Sequence, residues 1–169
     1  MGRYRPPQPK ASPYITAEGY ATLDTELKAL WKRRAYVVKI LAEAAAEGDR
    51  SENAEYIYRK KELREIDYRI RYLQKRLPDL KVVNNSPSNP QQVFFAAWVT
   101  LENEQGEETT YRIVGPDEFD AKKGWISMDS PVAKALMKKK IDDEVKVTTP
   151  NGTEIFYISN VDYSSSSLP

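Results

Sequence analysis

Residues 56–77 read YIYRKKELREIDYRIRYLQKRL, and their spacing decides the architecture. Tyr56, Arg59, Leu63, Ile66, Ile70, Leu73 and Leu77 alternate steps of three and four. A second series, Tyr20, Leu23, Leu27, Leu30, Arg34, Val37, Leu41 and Ala44, has the same rhythm. Each contains one arginine among otherwise small, aliphatic or aromatic residues. Sustained spacing of this kind places one stripe on one helix face and predicts a coiled-coil seam. Only Glu47-Gly48-Asp49-Arg50-Ser51-Glu52 separates the two series. So short a link returns the chain on itself and predicts an antiparallel hairpin. Thr16 can cap the first helix, and Pro78 stops the second. Arms of about 30 residues give a rod of roughly 45 Å at 1.5 Å per residue. Such a rod buries one seam and exposes the rest, an unusual choice for stability alone.

Outward from the hairpin the composition changes. Met1–Pro13 holds Pro6, Pro7, Pro9 and Pro13 with Arg3, Arg5 and Lys10, and reads as a flexible arm over 1–13. The hairpin is expected over 14–83, its acidic tip at 48–53. Residues 84–92, NNSPSNPQQ, are a polar linker with two prolines, where the domain boundary is expected. Residues 93–163 predict a small α+β domain. Val93–Glu102 and Thr109–Val114 are β-rich, and Pro131–Lys139 is a short helix with Ser130 as its cap. Glu144–Thr149 and Glu154–Asp162 flank Asn151-Gly152, a favoured hairpin turn. Residues 164–169 read as a disordered tail.

The chain has 169 residues, 26 basic and 25 acidic, so net charge names no partner. It has no cysteine and no histidine. That excludes thiol nucleophiles, Ser-His-Asp chemistry and Cys- or His-ligated metals. No apolar run is long enough to span a bilayer. Chemistry must rest on carboxylates, Lys, Arg, Tyr, Ser or Thr.

Three constellations remain. Asp49 and Glu52 stand three residues apart at the tip, with Ser51 between them. Asp49 as N-cap with Glu52 at the third helical position is a capping box, with Ser51 a competing cap. The same pair can also be a partial metal site. Mg²⁺ wants six oxygens in octahedral geometry, so two exposed carboxylates hold it poorly unless a partner supplies the rest. Next, Tyr56–Arg76 carries eight basic and three acidic residues, a net of +5. Lys60, Arg64, Arg71 and Lys75 fall within about 60° of one another on the helix, away from the seam, with Tyr68 beside them. A cationic stripe with an aromatic neighbour can track a nucleic-acid strand, or it can be a solvated face. Last, Asp129-Ser130-Pro131 is a capped helix start or a docking loop.

The segment Gly48-Asp49-Arg50-Ser51-Glu52-Asn53-Ala54-Glu55-Tyr56 at such a tip resembles the GreA/GreB transcript cleavage factors of bacterial RNA polymerase. Leu63–Asp67, Arg71–Leu73, Val93–Val99, Tyr111–Gly115 and Ile126–Leu136 look like the GreB branch. The likeness covers about 14–163. It implies a coiled-coil hairpin that enters the polymerase secondary channel, followed by an FKBP-like domain without implied isomerase activity. Asp49 and Glu52 would donate carboxylates, with Ser51 supporting, to a Mg²⁺ shared with the polymerase. The polymerase itself would hydrolyse the RNA of a backtracked complex, so the chain is expected to be an accessory factor rather than a free-standing enzyme. Lys60, Lys61, Arg64, Arg69 and Arg71 would hold the nascent RNA 3′ end. Asp129, Ser130 and Pro131 match the polymerase docking loop. A cytoplasmic monomer with no membrane partner is expected. The alternative is an inhibitor of the same shape that plugs the channel without cleavage. Three departures stand out: the arm Met1–Ser12, longer than the family pattern, Tyr68 where a basic residue is expected, and the Ser-rich end.

Overall fold

The computed structural model describes residues 6–47, 53–84 and 86–164. The chain forms two compact units. One comprises Glu18–Leu80, and the other joins residues up to Ala17 with Lys81 onward.

In the first unit, α1 runs Ala17–Ala46 and α2 runs Ala54–Arg76. The arms are unequal, 30 and 23 residues. Leu23, Val37 and Ala44 of α1 are buried, as are Ile66, Ile70 and Leu73 of α2. Val37, Ile66 and Ile70 form a cluster completed by Leu27, Leu30 and Leu63. Every one of these residues belongs to the two spacing series. Full burial of a residue such as Leu73 contributes about 1.5–3 kcal/mol relative to exposure.

The ladder of cross-helix polar contacts defines the antiparallel direction. Arg69 donates two hydrogen bonds to Glu26, of 2.6 and 3.0 Å. Arg33 reaches Glu62 at 2.7 Å, and Arg34 reaches Asp67 at 2.7 Å. Nearest the turn, Asn53 Nδ2 donates to the Ala44 carbonyl at 3.2 Å. The two arginines that interrupt the series are thereby explained. Arg34 pairs with Asp67, while Arg59 lies between Glu55 and Glu62, each 2.8 Å away. Arg33, foremost, and Arg59 hold the Glu62 carboxyl below its ordinary pKa. A depressed carboxylate pKa stabilises the fold above the unfolded value, and that contribution is lost as pH falls through the folded value.

The second unit begins with β1 (Tyr14–Ile15), which pairs in parallel with β2 (Lys81–Val82). The 3₁₀ turn Leu77–Asp79, with Pro78 near its start, ends α2 and precedes β2. The remaining strands are β3 (Trp98–Asn103), β4 (Glu108–Val114), β5 (Trp125–Ser127), β6 (Glu144–Thr149) and β7 (Gly152–Asp162). Their order in one sheet is β5-β4-β3-β7-β6. All pairs are antiparallel except β4–β5. Helix α3 (Pro131–Leu136) contributes Ala133 and Leu136 to a core with Val99, Leu101, Ile113, Val145, Val147 and Ile158. Among the described residues no helix is long and apolar enough to cross a membrane.

The structure departs from the spacing-based expectations in four places. The first long strand starts at Trp98, not Val93, because Ala96 takes a positive φ of 69° that ends extended pairing. Helix α3 ends at Leu136, and Lys138 has φ 66°. Residues 14–17 and 81–83, expected in the hairpin, belong to the sheet unit. The arm expected to be flexible over 1–13 is held at its end: the Pro13 carbonyl accepts from Lys81 N at 2.7 Å.

Candidate functional site

The hairpin turn is bounded by Ala46 and Asn53. Asn53 is the N-cap of α2, with extended φ and ψ of −82° and 102°. Its Oδ1 accepts from Tyr56 N at 3.1 Å while its Nδ2 bonds back to α1. Asn53 is thus the N-cap of α2, a position expected from the sequence to fall at Asp49 or Ser51. Asp49, Ser51 and Glu52 lie outside the described residues. Asn53→Ala removes both bonds at once. It is expected to lower hairpin stability by about 1 kcal/mol, as a lost cap does, with faster amide exchange at Ala54–Ile57 as the measurement. Unchanged exchange there would show that the cap does not set the helix start.

Beyond the cap, Lys60, Lys61, Arg64, Tyr68, Arg71 and Lys75 are all exposed. Tyr68 is 72% exposed. Lys60 Nζ stands 5.8 Å from the Tyr56 ring centroid, and Lys61 lies 3.9 Å from Glu65. The structure separates Arg69 from this stripe: it is half-buried and held by Glu26 on the other helix. Five of the six cations in the strand-binding hypotheses (Lys60, Lys61, Arg64, Arg71 and Lys75) thus share solvent, and Arg69 acts as a cross-helix tie. Arg59 is instead held within α2, by Glu55 and Glu62.

In the sheet unit, Asp129 Oδ2 accepts from Ser12 N at 2.9 Å, and Oδ1 accepts from Ser12 Oγ. Asp129 N donates to Ser127 Oγ at 3.1 Å. Ser130 Oγ accepts from Ala133 N at 3.2 Å and so caps α3. The loop expected for docking is therefore ordered from within, with the end of the arm as one of its walls. Sequence reasoning missed Ser12, because its partner lies 117 positions away. It also missed Trp31, one step outside the apolar series yet 46% exposed.

The N-terminal domain of the GreA/GreB transcription elongation factors matches residues 13–82, and their C-terminal domain matches residues 87–163. The chain belongs to the GreA/GreB family. The Transcription elongation factor GreB of Pseudomonas aeruginosa is 56% identical over 164 residues, 96% of this chain and 98% of that protein. The GreB of Pasteurella multocida is 60% identical over 153 residues, 90% of this chain and 97% of that one. Among solved structures, the GreA factor homolog 1 protein of Thermus thermophilus covers 88% of this chain and 97% of its own, at 25% identity and a TM-score of 0.41. The boundary between the two family domains falls at 82–87, just past β2.

Proposed function

We propose that this chain is a transcript cleavage and elongation factor for a bacterial RNA polymerase. In this reading the hairpin enters the secondary channel and stimulates the polymerase's own Mg²⁺-dependent hydrolysis of backtracked RNA, which rescues arrested complexes. The observation that carries it, beside family membership, is the hairpin itself. It is a helix pair with arms of about 45 and 35 Å, cross-tied by three ion pairs, with five exposed cations on α2 behind an acidic turn. A rod tied in this way resists bending and can deliver its end to a recessed site.

Asp49 and Glu52 are the residues that would hold the ion, together with polymerase ligands, since two carboxylates fall short of an octahedral set. The bound metal would neutralise charge developing on the phosphodiester and make a water more acidic. Asp49 and Glu52 add negative oxygens and accept hydrogen bonds from the attacking water, which orients it. Lys60, Lys61, Arg64 and Arg71 attract the phosphates of the extruded 3′ strand and restrain it along α2. Asp129, Ser130 and Pro131 form the docking loop. The chain thus lends residues to another protein's site and has no turnover of its own.

A cleavage assay on stalled, backtracked elongation complexes tests this. With Mg²⁺ near neutral pH, the protein is expected to shorten the RNA from its 3′ end. Labelled RNA and Mg²⁺ with the protein alone are expected to give no cleavage. Channel occupancy without shortening would support a plugging inhibitor instead; robust cleavage without polymerase would support a nuclease.

A further inference from the structure

One face of the hairpin carries an open groove of about 420 Å³ between the helices. Its lining is Trp31 and Arg34 from α1 and Asp67, Ile70, Arg71 and Gln74 from α2. That volume is within the range of pockets that take small organic ligands. The floor is fixed. Arg34 is bound to Asp67 at 2.7 Å and stands 6.0 Å from the Trp31 ring centroid, and Ile70 is in the seam. The rim is not spent on the fold. Trp31 is 46% exposed, and Gln74 is exposed with no hydrogen-bond partner among the described residues. Arg71 donates only its Nε, to the Asp67 carbonyl at 3.3 Å, which leaves its terminal nitrogens to solvent.

These groups form a complementary set. An indole offers a π-face to any base. A carboxamide offers both a donor and an acceptor to a base edge. A guanidinium suits a phosphate oxygen. Arg71 also belongs to the exposed stripe with Lys60, Arg64 and Lys75, so the groove opens along the positive track of α2. Lys60 lies eleven positions nearer the turn, about 16 Å along the helix.

We propose that this groove is a nucleobase-stacking site for single-stranded RNA, in which Trp31 stacks one base, Gln74 contacts its edge and Arg71 takes its phosphate. The inference rests on the reading that the extruded transcript runs along α2, and adds a stacking contact to what is otherwise a charge contact.

The test is fluorescence anisotropy of a short labelled oligoadenylate, and of an abasic strand of equal length, with the full chain at low salt. Trp31→Ala is expected to weaken oligoadenylate binding about five-fold or more, the loss of one stacked base. Trp31→Phe is expected to restore most of it, and the abasic strand is expected to bind both variants and the parent alike. Equal melting temperatures show that the exposed site leaves the fold intact. Three results overturn the inference: no binding by the parent, equal binding by Trp31→Ala, or an equal loss on the abasic strand. The last would make Trp31 a protein-docking or packing residue. The cleavage assay fails or succeeds independently, because it reads the polymerase and the tip acids whereas oligoadenylate binding reads Trp31 with neither.

Discussion

Replacing Asp49 by Asn and Glu52 by Gln together is expected to abolish stimulated RNA cleavage and to leave polymerase binding intact. Both changes keep side-chain size and remove one negative charge each. An amide is a much poorer partner for a hard cation than a carboxylate. Metal-ion stabilisation of a phosphoryl transition state is worth several kcal/mol, so losing the added ligands is expected to slow cleavage about a hundred-fold or more. The measurement is the rate of RNA shortening at saturating factor, beside competition with the unsubstituted protein for the polymerase. Intact competition with lost cleavage identifies the acids as donors to the reaction. Unchanged cleavage sinks the metal role. Helix capping predicts no such loss, because Asn53 already caps α2.

The second large effect concerns the residues that hold the start of α1. A Cβ on Gly115 would lie 2.0 Å from the Tyr14 carbonyl oxygen and 3.0 Å from its carbon. Both are backbone atoms of β1, so no side-chain rotation relieves the clash. Beside them, the Glu118 carboxylate is 8% exposed and accepts from Thr16 N at 3.0 Å, from Thr16 Oγ1 and from Gly115 N at 2.8 Å. Gly115→Ala must separate β1 from this site and lengthen those bonds together. The expected loss is about 3 kcal/mol or more, a large share of a typical domain's stability. Urea unfolding of the whole chain measures it, and an unchanged midpoint would show that β1 is not held as described. Glu118→Ala is expected to cost nearly as much, since it removes the acceptor for three donors. Glu118→Gln is expected to be milder: its oxygen can keep the two N–H donors while its amide donates to Thr16 Oγ1.

The helical part of the fold was legible because its signal is local and repeated. Leu23, Val37, Ile66, Ile70 and Leu73 lie in the seam that their spacing implies. The interruptions at Arg34 and Arg59 were visible too, but their meaning was not. Which acid stands opposite Arg34 depends on the register between helices, and periodicity within one helix does not set that. The cap was misplaced for a related reason. Asp49, Ser51 and Asn53 are all good caps by type, and Asn53 is selected by its second bond to Ala44 across the turn. β1 and β2 have two residues each, too few for an alternating pattern to register. The docking loop was legible as a capped helix start, and Ser130 does cap α3. The contribution of Ser12 to that loop, and of Trp31 to the groove, arises only from folding distant residues together.

The pairing of Tyr14 with Lys81 has a consequence for the order in which the molecule can form. The ribosome releases residue 14 long before residue 81, so β1 waits without its neighbour while both long helices are made. Closing a loop of that length through a disordered chain costs about 4 kcal/mol of entropy before any contact repays it. Helix pairing removes most of that cost, because an antiparallel hairpin brings its own two ends together. The hairpin is thus expected to form first and the β1–β2 pair to follow, so that defects in the hairpin seam slow the pairing of Tyr14 with Lys81.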